Sequence, residues 1–140
     1  MKKLITTLAL TFAIAVAIIV IESRPSTTTV VEAAPVVRVA SETRCGWLAN
    51  PTPANWWLTD GDGEWTLGVQ GGYQAKGMDK IPDFPRSRWV ETNGSHGYGC
   101  ACMTVTTNKS AMQIIRVIKA WPKPLSTCRL DKKLKEPKDD

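Results

Sequence analysis

The sequence predicts a small, mainly β domain stapled by two disulfides, and three observations predict it. All four cysteines, Cys45, Cys100, Cys102 and Cys128, lie within residues 44–131. An even count confined to a short stretch reads as a disulfide framework. Residues 64–70 alternate in polarity: Trp65, Leu67 and Val69 share one face, and Glu64, Thr66, Gly68 and Gln70 share the other. That is the period of a half-buried strand. Residues 112–120 are rich in β-branched side chains and face residues 99–106 across the polar tip Thr107-Asn108-Lys109-Ser110. Together these two runs predict an antiparallel hairpin. A helix over 110–120 is the alternative.

From the N-terminus, Met1-Lys2-Lys3 is a basic start. Residues 4–21 are then apolar apart from Thr6, Thr7 and Thr11, and carry no charge. This is the pattern of an export signal, with the lysines held inside. As a helix the run would span about 27 Å, close to a bilayer core. Residues 1–22 are therefore expected to be a targeting helix. A cleaved signal, using the small side chains of Val31-Glu32-Ala33, is favoured over an uncleaved anchor. Residues 23–43, with Pro25, Pro35 and a Ser/Thr run, read as a linker. Residues 132–140, with four lysines and Pro137, read as a solvated, frayed charged tail.

The domain itself spans 44–131, enough for one thin core. Asn50-Pro51-Thr52-Pro53-Ala54-Asn55 is expected to be irregular, because two prolines remove two donors. Asp60-Gly61-Asp62-Gly63 is a turn. Residues 73–85 read as loop, and 88–92 as a short strand closed by Asn93-Gly94. Pro122 and Pro124 end the last strand, and the sheet leaves room for one short helix.

Cys100 and Cys102 share one face of an extended strand, too close to pair with each other. Each then takes one of the outer cysteines. Cys45–Cys100 with Cys102–Cys128 is the preferred pairing, and the crossed version stays open. Zinc is the rival use of cysteine, but paired Cys-x-x-Cys spacing is missing and His96 is the only histidine. No metal or cofactor is expected.

Net charge is +5 for the chain. Residues 44–131 hold ten Lys/Arg against seven Asp/Glu, scattered without a stripe, which argues against nucleic-acid binding. Asp60, Asp62 and Glu64 are spaced like part of a calcium loop, but a full loop needs more ligands; a hairpin turn explains them better.

The segments Arg44-Cys45-Gly46-Trp47, Asn50-Pro51-Thr52-Pro53, Asp62-Gly63-Glu64-Trp65, Gln70-Gly71-Gly72, 93–102 (NGSHGYGCAC) and 124–129 (PLSTCR) together resemble an uncharacterised, domain-of-unknown-function family of small exported bacterial proteins. The resemblance covers essentially all of 44–131. It implies export to the periplasm or cell envelope and paired cysteines, and it supplies no activity.

Six tryptophans are the most suggestive feature of so short a chain. Trp65 and Trp89 sit in strand patterns and are expected in the core. Trp56 and Trp57 are adjacent, so in extended chain they point to opposite sides, and one can face out. An exposed indole beside a proline-rich loop is a contact for sugar rings or a partner protein. With Trp56 and Trp57, the candidate binding residues are Asn93, His96 and Tyr98. No catalytic set is expected. Ser95-His96 is not a triad, since a base needs an orienting carboxylate.

The expected function is thus a non-catalytic envelope module that contacts a partner protein, in the manner of an inhibitor, or cell-wall glycan. The rival class is an envelope-polymer hydrolase using Glu64, His96 or both; a purely structural envelope protein is the third. A concave site joining His96 to a carboxylate would favour the enzyme. A flat or protruding aromatic patch would favour the binder.

Overall fold

Along the first strand, alternate residues point to opposite faces, and the sequence divides cleanly between them. In the computed structural model, which describes residues 40–138, β1 runs Glu42–Thr52. The targeting helix expected at 1–22, and linker residues 23–39, lie outside the described residues. Leu48 faces one side and Trp47 the other, and both are fully buried.

Five further strands follow: β2 (Asn55–Asp60), β3 (Gly63–Gly68), β4 (Trp89–Asn93), β5 (His96–Asn108) and β6 (Gln113–Pro122), then the short helix α1 (Leu125–Arg129). The sheet order is β1-β2-β3-β6-β5-β4, and β1 also pairs with β5. That extra pairing closes β1, β2, β3, β6 and β5 into a ring. The first three strands form a meander, and the chain then returns by a long connection to lay β5 beside β1. This is a Greek key, which β6 closes. The hairpin expected from 99–106 and 112–120 is present, with Met103 opposite Ala120. The sheet is not wholly antiparallel, however. β3 and β6 run the same way and meet in parallel at Thr66 and Gln113.

The interior holds Leu48, Leu58, Trp65, Leu67, Met103, Val105, Ile114 and Val117, all within 2% of full burial. At about 25 cal/mol per Å² of apolar surface, such burial is the main force holding the ring together. The outer face of β1 and β5 carries a second cluster, Trp47, Tyr98, Cys100 and Cys128. Trp47 and Tyr98 meet edge to face at 5.5 Å. Leu125 and Leu134 pack over them.

Several expectations are corrected. β1 starts at Glu42, inside the segment read as linker, and runs through Asn50 and Pro51. A shift in the β1–β2 register between Ala49 and Thr52 accommodates the proline, which cannot donate to a ladder. Val69 leaves the face it was expected to share with Trp65 and Leu67. β3 ends at Gly68, and Val69 turns out, 41% exposed. The tail is not frayed through residue 138. Leu134 docks on the outer cluster, and Glu136 holds Arg129 at 2.6 Å and accepts from the Tyr98 hydroxyl at 3.2 Å.

The disulfides are Cys45–Cys102 and Cys100–Cys128, so the preferred pairing is wrong and the crossed one is right. Strand register decides it. β1 and β5 pair with Cys45 opposite Cys102 and Trp47 opposite Cys100. A Cys45–Cys100 bridge would need the strands to slip by two residues. Cys100 is left for Cys128 on α1.

One end of the ring is sealed by charge. The Arg44 guanidinium, 7% exposed, lies 2.6 Å from Asp60, 2.9 Å from Asp62 and 3.1 Å from Glu42, and stacks 3.7 Å above the Trp65 ring. Burial alone would lower the Arg44 pKa, but the three carboxylates overcome it and raise it. The Trp65 indole N–H donates to Asp60 as well.

Glu42 accepts a hydrogen bond from the Thr107 hydroxyl, and this, with Arg44, holds its carboxyl below the ordinary value of 4.5. Glu136 is lowered by Arg129. A carboxyl depressed in the folded state adds stability above its unfolded pKa and loses it as pH falls through the folded one. The melting temperature is therefore expected to fall as pH drops below 4.5. Glu42→Gln should flatten that dependence, and an unchanged acid slope in the variant would count against Glu42 as a source.

Candidate functional site

The other end of the ring opens into a cleft, and Asn50 organises it. Its side chain is buried, and its Nδ2 donates to the carbonyls of Thr52 (2.9 Å) and Asn55 (2.7 Å). Both partners can only accept, which fixes the amide orientation. Oδ1 then faces His96 Nδ1 at 2.7 Å as an acceptor. His96 must donate from Nδ1, so the neutral ring keeps its lone pair on Nε2. Among the described residues nothing hydrogen-bonds to that Nε2.

Three aromatic rings from three segments wall the cleft: Trp56 from β2, Phe84 from the long connection, and Trp89 from β4. The Phe84 and Trp89 rings are 5.1 Å apart and tilted by 54°. Trp89 is anchored by its indole N–H donating to the Ser95 carbonyl at 3.2 Å. Phe84 lies directly over Gly99, where a Cβ would come within 2.7 Å of the ring. Glycine at 99 is what lets this wall stand. Arg88 ties the same segment to β6 by donating to the Pro122 carbonyl at 3.1 Å. The cleft is open to solvent and measures about 370 Å³, at the lower end of the range for small-ligand sites. Asp83, Arg86 and Glu91 stand exposed at its rim.

The five residues proposed from sequence are divided. Trp56 and His96 line this cleft. Asn93 and Tyr98 line a second depression of about 640 Å³, with Glu64, Pro51 and Lys138. Tyr98 belongs mostly to the outer cluster and is only 7% exposed. Trp57 is half-buried in β2 and lines neither. Trp56, expected as one of an in/out pair, is half-buried too, packed against the interior while facing the cleft. Trp65 is core, but Trp89 is not.

Sequence reasoning missed Asn50 as the His96 partner, and Phe84 as a wall. The proline-flanked Phe84 was the only local hint of the latter.

Glu64 and His96, paired in the hydrolase reading, line different depressions. The cleft does bring His96 together with two other carboxylates, Asp83 and Glu91. Neither hydrogen-bonds to the imidazole, whose Nδ1 is held by a neutral amide. Asp60 and Asp62, the start of the calcium-like spacing, both bind Arg44. Among the described residues, no group of three or more His, Cys, Asp or Glu is arranged to hold a metal.

The paired cysteines are the chemistry of an oxidising compartment. No curated protein and no solved structure matches the chain. A family model does match, over residues 39–135, and the chain belongs to the family it describes, "Protein of unknown function (DUF4087)".

Proposed function

We propose that this domain is a non-catalytic binding module of the bacterial cell envelope, and that the aromatic cleft takes cell-wall glycan. The observation that carries this reading is the convergence of Trp56, Phe84 and Trp89 around one concavity, with His96 locked beside them by Asn50. Aromatic faces offer large apolar area at little entropic cost, and a few fixed polar groups orient what lands on them. Export supports an envelope partner. It rests on the basic, apolar N-terminus and on the two disulfides. A concave site of this size suits a sugar unit better than the flat face of a protein partner.

The test is co-sedimentation of the disulfide-bonded domain with purified insoluble cell-wall glycan. The double variant Trp56→Ala/Trp89→Ala is expected to lose binding by about tenfold or more, given about 1 kcal/mol or more per buried aromatic contact. His96→Ala should weaken it less. Pelleting of the double variant at wild-type levels would remove the cleft from consideration.

The hydrolase reading is favoured by the joining of His96 to Asp83 and Glu91 in one concave cleft. Against it, neither carboxylate hydrogen-bonds to the imidazole, whose Nδ1 is held by the neutral Asn50 amide and not by an orienting carboxylate. Release of soluble fragments from the same glycan, abolished by His96→Ala, would establish it over the binding reading.

A further inference from the structure

We infer that the group held in the cleft is a cationic ammonium, as on an amino sugar lacking its N-acetyl group; this deepens the glycan reading and rests on it. Three features point this way. A neutral sugar ring stacks on a flat aromatic platform, but Phe84 and Trp89 are inclined at 54° with centroids 5.1 Å apart. Trp56 lines the same cleft from β2, so three aromatic side chains border one concavity. Ring faces carry negative electrostatic potential, and a cation enclosed by several of them is attracted to each.

The second feature is charge. The chain as a whole is +5, yet the ionisable rim of this cleft carries two carboxylates, Asp83 and Glu91, against the single Arg86. The local sign is opposite to that of the molecule. A cationic ligand is repelled by the protein at large and welcomed here, so selectivity for it cannot come from bulk attraction.

The third is His96. With Nδ1 donating to Asn50 at 2.7 Å, the tautomer protonated at Nδ1 presents an acceptor at Nε2. An ammonium N–H is a matching partner. A carboxylate or phosphate would meet one cation, Arg86, against the two carboxylates Asp83 and Glu91.

The experiment titrates the disulfide-bonded domain with three probes, following the indole N–H resonances of Trp56 and Trp89. The probes are a glucosamine tetramer, its fully N-acetylated counterpart, and tetramethylammonium. Expected is binding of the glucosamine tetramer about tenfold tighter than the acetylated one. Tetramethylammonium should compete for the same resonances, and added salt should weaken both cations. Asp83→Asn/Glu91→Gln should abolish the preference while leaving the fold, read from the remaining amide resonances, unchanged.

Equal binding of the two tetramers, or tighter binding of the acetylated one, overturns the ammonium inference and leaves the glycan cleft standing. Binding of tetramethylammonium alone keeps the cation and removes the glycan. If no probe moves either indole, both readings fall.

Discussion

Removing the disulfides is expected to unfold the domain. Cys45–Cys102 and Cys100–Cys128 close loops with sequence separations of 57 and 28. In the chain-entropy model each restricts the unfolded state by roughly 4 kcal/mol. A domain this small has a total margin of about 5 kcal/mol, so losing both bridges leaves nothing in reserve. The two bridges should also differ. Cys45 is exposed, whereas Cys100 and Cys128 are each within 2% of full burial. Graded reduction with mass mapping should open Cys45–Cys102 first, with Cys100–Cys128 yielding only as tertiary structure is lost. Simultaneous reduction in a still-folded domain would contradict this order. A reduced protein with an unchanged thermal transition would refute the dependence on both.

Arg44→Met is expected to cost about 3–5 kcal/mol, the range for stripping one partner from a buried ion pair. Asp60, whose side chain is 8% exposed, would lose its 2.6 Å partner. The loss of the cation over the Trp65 face adds to the cost. Arg44→Lys should recover little, because a single ammonium lacks the guanidinium fork that here contacts Glu42 through Nε and Asp60 and Asp62 through Nη1. Arg44→Met combined with Asp60→Leu should recover part of the loss, since it removes the stranded carboxyl together with its partner. Chemical denaturation of the three variants measures this. A single Arg44→Met variant within 1 kcal/mol of wild type, on the same scale of cost, would show the cluster to be incidental.

The strands were legible where pattern alone determines them. Trp65 and Leu67 alternate with polar residues, so β3 follows from period. At 113–121 Ile114, Val117, Ile118 and Trp121 also fit a helical stripe, and it is β-branched composition that favours the strand of the β5–β6 hairpin. Disulfide partners were not legible. The residue opposite Cys45 depends on how residues 42–50 lie against 97–105, and nothing local encodes that register. Trp89 shows the same limit from another side. Its strand pattern suggests burial, but β4 pairs only with the first residues of β5, at the rim of the ring. Its ring therefore borders a cleft. Asn50 looked like part of an irregular proline segment, yet that segment supplies the amide that orients the histidine from 46 residues away. Trp56 and His96 were found because rare residue types stand out in sequence. The groups that position them were missed because their roles exist only in three dimensions.

Closure of the ring has a consequence for how this chain behaves among its own copies. An open sheet exposes backbone donors and acceptors along two edges, where further chains can add. Here β1 and β5 satisfy each other, and among the described residues the edges left include the five residues of β4, the last part of β6 and the start of β1 on its β2 side. Glu91 lies in the first, and Lys119 and Pro122 in the second. A folding chain that has joined β1 to β5 has thus hidden its longest self-complementary surface. Once the Cys45–Cys102 bridge has fixed that join, the ring would resist strand-to-strand aggregation.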